Sequence, residues 1–103
     1  MRESGTWMTI WDDRILEYLR ENDGATVGEL TKSESIRVSN AHVSRRCKKL
    51  AEHGLVTPIG NGAYVITDEG KAYLNEEYDA ENGVYLNQNN SQSGPNASET
   101  SQS

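Results

Sequence analysis

Between positions 39 and 54 the chain reads SNAHVSRRCKKLAEHG. Few local structures fit those residues. Ser39 can accept from the free amides of a first helical turn, and Gly54 suits the left-handed position at which helices stop. Val43, Cys47, Leu50 and Ala51 recur at helical spacing and make one apolar stripe. At about 100° per residue, the direction opposite that stripe runs through Arg45, with Ala41, His42, Lys48 and Lys49 around it and Ser44 and Arg46 at its flanks. A helix that buries one stripe and carries four cations in five positions is suited to meet a polyanion. The plain alternative is a solvated basic face on a core helix.

The charge distribution favours the first reading. The net charge is −6, which by itself opposes nucleic-acid binding. From Lys32 to Lys49, however, Lys32, Arg37, Arg45, Arg46, Lys48 and Lys49 face Glu34 alone, a local charge of +5. The other four bases and fifteen acids leave −11. One basic segment in an acidic domain is an electrostatic footprint for nucleic acid. The acid excess elsewhere looks like the surface of a halophilic archaeal protein, and equally fits an ordinary acidic protein with an acidic partner surface.

The flanking segments read as a scaffold for this helix. Residues 1–8 form a lead-in whose Trp7 and Met8 can pack on the body or on a second subunit. Thr9 and Asp12 have capping-box spacing and open a helix over 10–22, with Trp11, Ile15, Leu16, Tyr18 and Leu19 on its apolar side. Ala25 and Thr26 suit a short strand. Thr26 and Glu29 make a second capping box before a short helix over 27–33. A turn over 34–38 carries one apolar plug, Ile36, and leads into the basic helix, an arrangement of helix, turn and helix.

After Gly54 the hydrophobic period changes from 3.6 to 2. LVTPI and AYVIT flank Gly60-Asn61-Gly62, a strong hairpin signal. Pro58 cannot donate to a ladder, so its strand belongs at an edge. Tyr64 and Ile66 share a face directed at the helices. Thr67 caps a last helix over 68–79, with Ala72, Tyr73, Leu74 and Tyr78 on its apolar side. From position 80 the chain turns polar, with one apolar islet at Val84, Tyr85 and Leu86 placed to dock on the body. Residues 88–103 cannot bury enough to offset their ordering entropy and are expected to be disordered.

The expected domain is therefore 9–79, α+β structure that is mostly helical, within an ordered part of about 75 residues that allows only a small core. The order of elements is that of a winged helix-turn-helix: a three-helix core, a two-stranded hairpin wing and a C-terminal helix. The apolar content is 34%, and no stretch approaches the length of a membrane span or a signal-peptide core. A cytoplasmic location is expected. Cys47 is the single cysteine, which excludes an internal disulfide, and with His42 and His53 it makes no zinc ligand set. It reads as a small core hydrophobe. No cofactor is expected. Asn89-Asn90-Ser91 and Asn96-Ala97-Ser98 match the glycosylation pattern by chance.

GLVTPIGNGAYVITDEGKAYL resembles the wing of small prokaryotic and archaeal winged helix-turn-helix regulators, and VSRRCKKLAEHGLV resembles their recognition helix running into the wing. With the acidic surface, residues 9–78 are similar to the haloarchaeal phage phi-H repressor-like regulators, related in shape to MarR-type proteins. The resemblance implies a transcriptional regulator that binds palindromic double-stranded DNA as a homodimer. It further implies that Asn40, Ala41, His42, Ser44, Arg45 and Lys48 face the major groove. Arg45 is the leading candidate for a base contact, because a guanidinium can donate two bonds to guanine. Lys32, Arg37, Arg46 and Lys49 suit phosphates, which position a domain without reading sequence. Gly60, Asn61 and Gly62 would form the wing tip. Many wings carry a cation there and this one carries none.

Trp7, Trp11, Tyr73 and Tyr78 lie at the first and last helices, where such domains pair; core packing is the competing account. The other functional readings are a winged-helix module for protein or RNA, and an enzyme. Catalysis is not expected, because the acids are scattered over helix starts and solvent faces rather than paired in a pocket. His42 lies on the proposed groove face, and His53 suits the negative end of a helix.

Overall fold

The computed structural model describes residues 2–86. The expectations about residues 88–103, including disorder and the two chance glycosylation patterns, lie outside the described residues.

The elements follow the expected order. Helix α1 (Ile10–Asn22) leads to strand β1 (Ala25–Thr26), helix α2 (Val27–Thr31) and helix α3 (Asn40–Glu52). Strands β2 (Val56–Gly60) and β3 (Ala63–Ile66) form the hairpin, and α4 (Asp68–Leu74) follows. The caps come from the residues with capping chemistry. The Asp12 carboxylate accepts from the Thr9 amide at 3.0 Å. Thr26 and Glu29 exchange bonds at 3.1 and 2.8 Å. Ser39 Oγ accepts from the His42 amide at 3.2 Å, and Thr67 Oγ1 from the Gly70 amide at 3.0 Å. Gly54 ends the basic helix at φ 77°, a conformation that a side chain disfavours.

The three strands run antiparallel in the order β1-β3-β2. Pro58 lies in the edge strand β2, beside a register shift between Pro58 and Gly60. The wing is also joined to the helices, since the Val27 amide donates to the Gly62 carbonyl at 3.0 Å. The core lies where α1, α2, α3 and α4 converge on the sheet. Ile15, Leu16, Leu19, Leu30, Val43, Cys47, Leu50, Leu55 and Tyr73 are fully buried there, with the plug Ile36 beside them.

Two helices end before their expected limits. Helix α2 stops at Thr31 and α4 at Leu74, five residues before the expected end of α4. At α4 the chain reverses through Glu76 at φ 66°, and the Glu77 amide donates back to the Ala72 carbonyl at 2.7 Å. Residues 80–86 continue the fold. Strands β4 (Tyr78–Asp79) and β5 (Val84–Tyr85) form a second small hairpin, so the apolar islet is structured. The lead-in packs on the body, one of the two placements open to Trp7 and Met8. Glu3 bridges Asp79, and the Ala80 amide donates to the Glu3 carbonyl at 2.9 Å. Arg2 reaches Glu17 at 2.9 Å and the Leu74 carbonyl at 3.2 Å.

Candidate nucleic-acid interface

Helix α3 has the two faces its spacing implied. Val43, Cys47 and Leu50 are fully buried, while Asn40, Ala41, Arg45 and Lys48 are exposed. Ser44 and Lys49 are partly exposed. Lys49 lies 3.8 Å from Glu52, one turn along the same helix, a surface pair of little strength. In the approach to the helix, Lys32 and Arg37 are exposed, and Arg37 Nε donates to the Glu34 carbonyl at 3.1 Å. Lys32, Arg37, Arg45, Lys48 and Lys49 are thus all at least partly exposed, and the last three share the polar face of α3 by helical spacing.

Arg46 is instead turned into the domain. Its Nε donates to Asp12 Oδ1 at 2.9 Å, and its Nη2 to Asp12 Oδ2 at 2.7 Å and to the Trp7 carbonyl at 2.8 Å. Asp12 is 0% exposed and the Arg46 side chain 18%. The hydrogen bond to Asp12 holds the guanidinium above its ordinary pKa, outweighing a burial effect that pulls downward. Its assignment to a phosphate is corrected, because its charge is already spent on a buried carboxylate. By helical spacing Arg46 lies about 60° from Val43, at the border of the stripe. That offset was legible. The matching acid, 34 positions away, was not.

His42 also differs from expectation. Its Nε2 is buried and makes no hydrogen bond among the described residues, so that nitrogen is not offered to a groove. At the wing tip, Gly60, Asn61 and Gly62 are all exposed and all have positive φ. The wing displays Ile59, 59% exposed, and no cation.

The aromatic candidates separate clearly. Tyr73 is 0% and Tyr78 6% exposed, so neither is available to a second subunit. The Tyr73 hydroxyl donates to Asp13 at 2.7 Å and accepts from Ser4 at 2.8 Å, and Tyr78 packs edge-on against Tyr85 at 5.1 Å. Trp7 is partly buried against His53, a partner that the spacing did not suggest. Trp11 is partly exposed and lines an open groove of about 370 Å³ with Ile10, Arg14, Glu17, Glu34, Ser35 and Arg37. Among the described residues, no group of His, Cys, Asp and Glu could hold a metal ion, and no helix is long and apolar enough to cross a membrane.

The winged helix-turn-helix phage repressor model matches residues 1–84. The chain belongs to that family. Among solved structures, the chain is similar to the PhiH1 repressor-like protein from Haloarcula marismortui, at 57% identity and a TM-score of 0.82. The match covers 84% of this chain and 98% of that one. Comparison with curated proteins finds no match. The family match extends over the lead-in and into the second hairpin. In this phage-repressor-type fold the exposed cations Lys32, Arg37, Arg45 and Lys48 belong to the helix-turn-helix segment, and the wing that follows it is uncharged.

Proposed function

We propose that this winged-helix protein is a DNA-binding transcriptional regulator, acting as a repressor by placing α3 in the major groove of an operator. The observation that carries this reading is the division of α3 into a buried apolar stripe and an exposed polar and basic face, on a helix-turn-helix of the phage repressor family. Arg45 is the base reader, with Asn40, Ala41, Ser44 and Lys48 beside it. Lys32, Arg37 and Lys49 take phosphates. The protein works in the cytoplasm.

Two copies act together. Five outward cations offer few phosphate contacts, and such binding weakens steeply with salt. A homodimer spanning half-sites about 34 Å apart doubles them. With Tyr73 and Tyr78 assigned to the core, the exposed apolar surfaces among the described residues, apart from Ile59 on the wing, are Ile10 beside Trp11 and Val84 beside Tyr85, and these are the candidates for pairing.

Selection of bound duplexes from a random DNA pool tests function, symmetry and site together. A palindromic consensus is expected. Failure of any duplex to bind, in salt at which the protein is folded, would move the reading to an interaction module for protein or RNA. The uncharged wing with its exposed Ile59 is the feature that favours that second reading. Sedimentation as a monomer at high concentration would remove the dimer.

A further inference from the structure

Arg46 lies on the helix that carries the proposed reading face, yet its guanidinium points back into the domain. All three of its hydrogen bonds end on groups that are themselves held. The Asp12 carboxylate is fully buried and also accepts from the Thr9 amide, so it is fixed to the start of α1. Trp7, whose carbonyl takes the third bond, stacks on His53 at the far end of α3 with ring centroids 3.8 Å apart. Its indole Nε1 reaches the Ala80 carbonyl at 3.5 Å.

Apolar burial does not fix a helix's roll tightly, because the attraction is non-directional. Val43, Cys47 and Leu50 would remain covered through a small rotation of α3. A planar guanidinium fork on a carboxylate is satisfied in far fewer orientations. The difference matters at the outer surface. A roll of about 10° carries a side-chain tip about 6 Å from the axis through about 1 Å. That exceeds the roughly 0.5 Å over which an N–H···O bond keeps its length.

The geometry points to Arg46 as a positioning residue for DNA binding: with Asp12 and the Trp7 carbonyl it sets the roll of α3, and so the aim of Arg45, without touching DNA. This rests on the DNA-binding reading given above.

The test compares the wild type with Arg46→Lys, Asp12→Asn and the double variant Asp12→Leu/Arg46→Met. Each is titrated with a duplex selected from the random pool and with a random-sequence duplex of equal length. Titrations cover the salt range in which circular dichroism shows the protein folded. Arg46→Lys keeps the charge and loses the fork. Asp12→Asn removes an acid, which on electrostatics alone strengthens attraction to DNA. Both are expected to lose about tenfold or more on the selected duplex, the scale of one lost base contact. Both should hold the random duplex within about twofold and leave the salt slope unchanged. If either single variant fails to fold, the double variant carries the test, since an apolar pair often replaces a buried ion pair without loss of stability. The same fall in the ratio of selected to random affinity is expected from it.

Three results overturn the proposal. One is full affinity for the selected duplex in the variants that fold. Another is a salt slope shallower by about 0.9 in the double variant, the signature of a lost phosphate contact. The third is an equal fall on both duplexes that tracks the unfolded fraction, which is a stability effect alone. A wild-type protein that ignores both duplexes defeats the DNA-binding reading itself, and this proposal with it. That failure appears without any variant.

Discussion

The Trp7 indole lies flat on the His53 imidazole, with centroids 3.8 Å apart and planes 5° from parallel. The stack joins the segment before α1 to the residue that closes α3. Trp7→Ala removes it and should cost about 2 kcal/mol, less than a fully buried aromatic because Trp7 is only partly covered. Trp7→Phe keeps a ring on the imidazole and loses only the long Nε1 bond to Ala80, so its cost should stay under about 1 kcal/mol. Urea unfolding of both variants measures the difference. Equal losses would show that the stack contributes little.

Arg45 and Lys49 should differ in kind. Arg45→Ala is expected to weaken binding to the selected duplex about ten- to a hundredfold and to relax the preference at one base pair. Lys49→Ala should weaken selected and random duplexes alike and make the salt slope shallower by up to about 0.9. Titrations at several salt concentrations separate them. A loss of sequence preference in Lys49→Ala would reverse the two roles.

Gly70 is inside α4, where alanine is ordinarily better by about 1 kcal/mol. Here a Cβ would run into the Leu55 carbonyl oxygen and lie 2.6 Å from Ile66 Cγ1. The oxygen belongs to the backbone and cannot swing aside. Overpacking of this kind costs about 1–3 kcal/mol, so the clash outweighs the propensity and Gly70→Ala should destabilise. A melting temperature at or above the wild type's would contradict the packing of α4 on the sheet.

Cys47 makes stability sensitive to alkali. Burial pushes its thiol from 9.0 up to about 12, with the nearby Asp12 charge adding to the effect. In the unfolded chain the thiol ionises near pH 9, while the folded protein retains the proton. The unfolded state then binds fewer protons, so stability is fully present below about pH 9 and falls as pH rises toward 12. Burial raises Tyr73 in the same direction, which adds a loss starting near its ordinary value of 10.0. Cys47→Ala should be less stable at pH 7 but lose less between pH 9 and about 10, by denaturant titration at each pH. In the wild type, a disulfide thiol reagent should react with Cys47 only at the rate of opening.

A cation at the wing tip should register at once if the wing approaches DNA. Asn61→Lys adds a charge at an exposed position and should steepen the salt dependence by up to about 0.9. Asn61 has φ 55°, so the change also costs about 1 kcal/mol of stability. An unchanged slope would place the wing away from the phosphates.

Local signals in this chain were dependable. Ser39, Thr26 and Thr67 cap the helices they were expected to cap, because a hydroxyl three residues before a free amide acts without help from elsewhere. Gly60-Asn61-Gly62 turns the hairpin for the same reason. What escaped depended on partners distant in sequence. The charge of Arg46 was visible, but its meeting with Asp12 depends on how α1 crosses α3. Tyr73 and Tyr78 carry hydroxyls suited to a surface, yet Asp13 and Ser4 bring hydrogen bonds to the buried Tyr73. The end of α4 was misjudged because Glu76 takes up a left-handed turn that no glycine marks.

The wing is no free flap. β3 pairs with β1, and the tip carbonyl of Gly62 is bonded to the first amide of α2. Hairpin and helix-turn-helix therefore form a single bracket with a preset opening. On the proposed binding mode, a duplex that meets both parts cannot bend the bracket to its own curvature, and the bending falls to the DNA. Flanking base steps that flex easily would then be favoured even where no side chain reaches them.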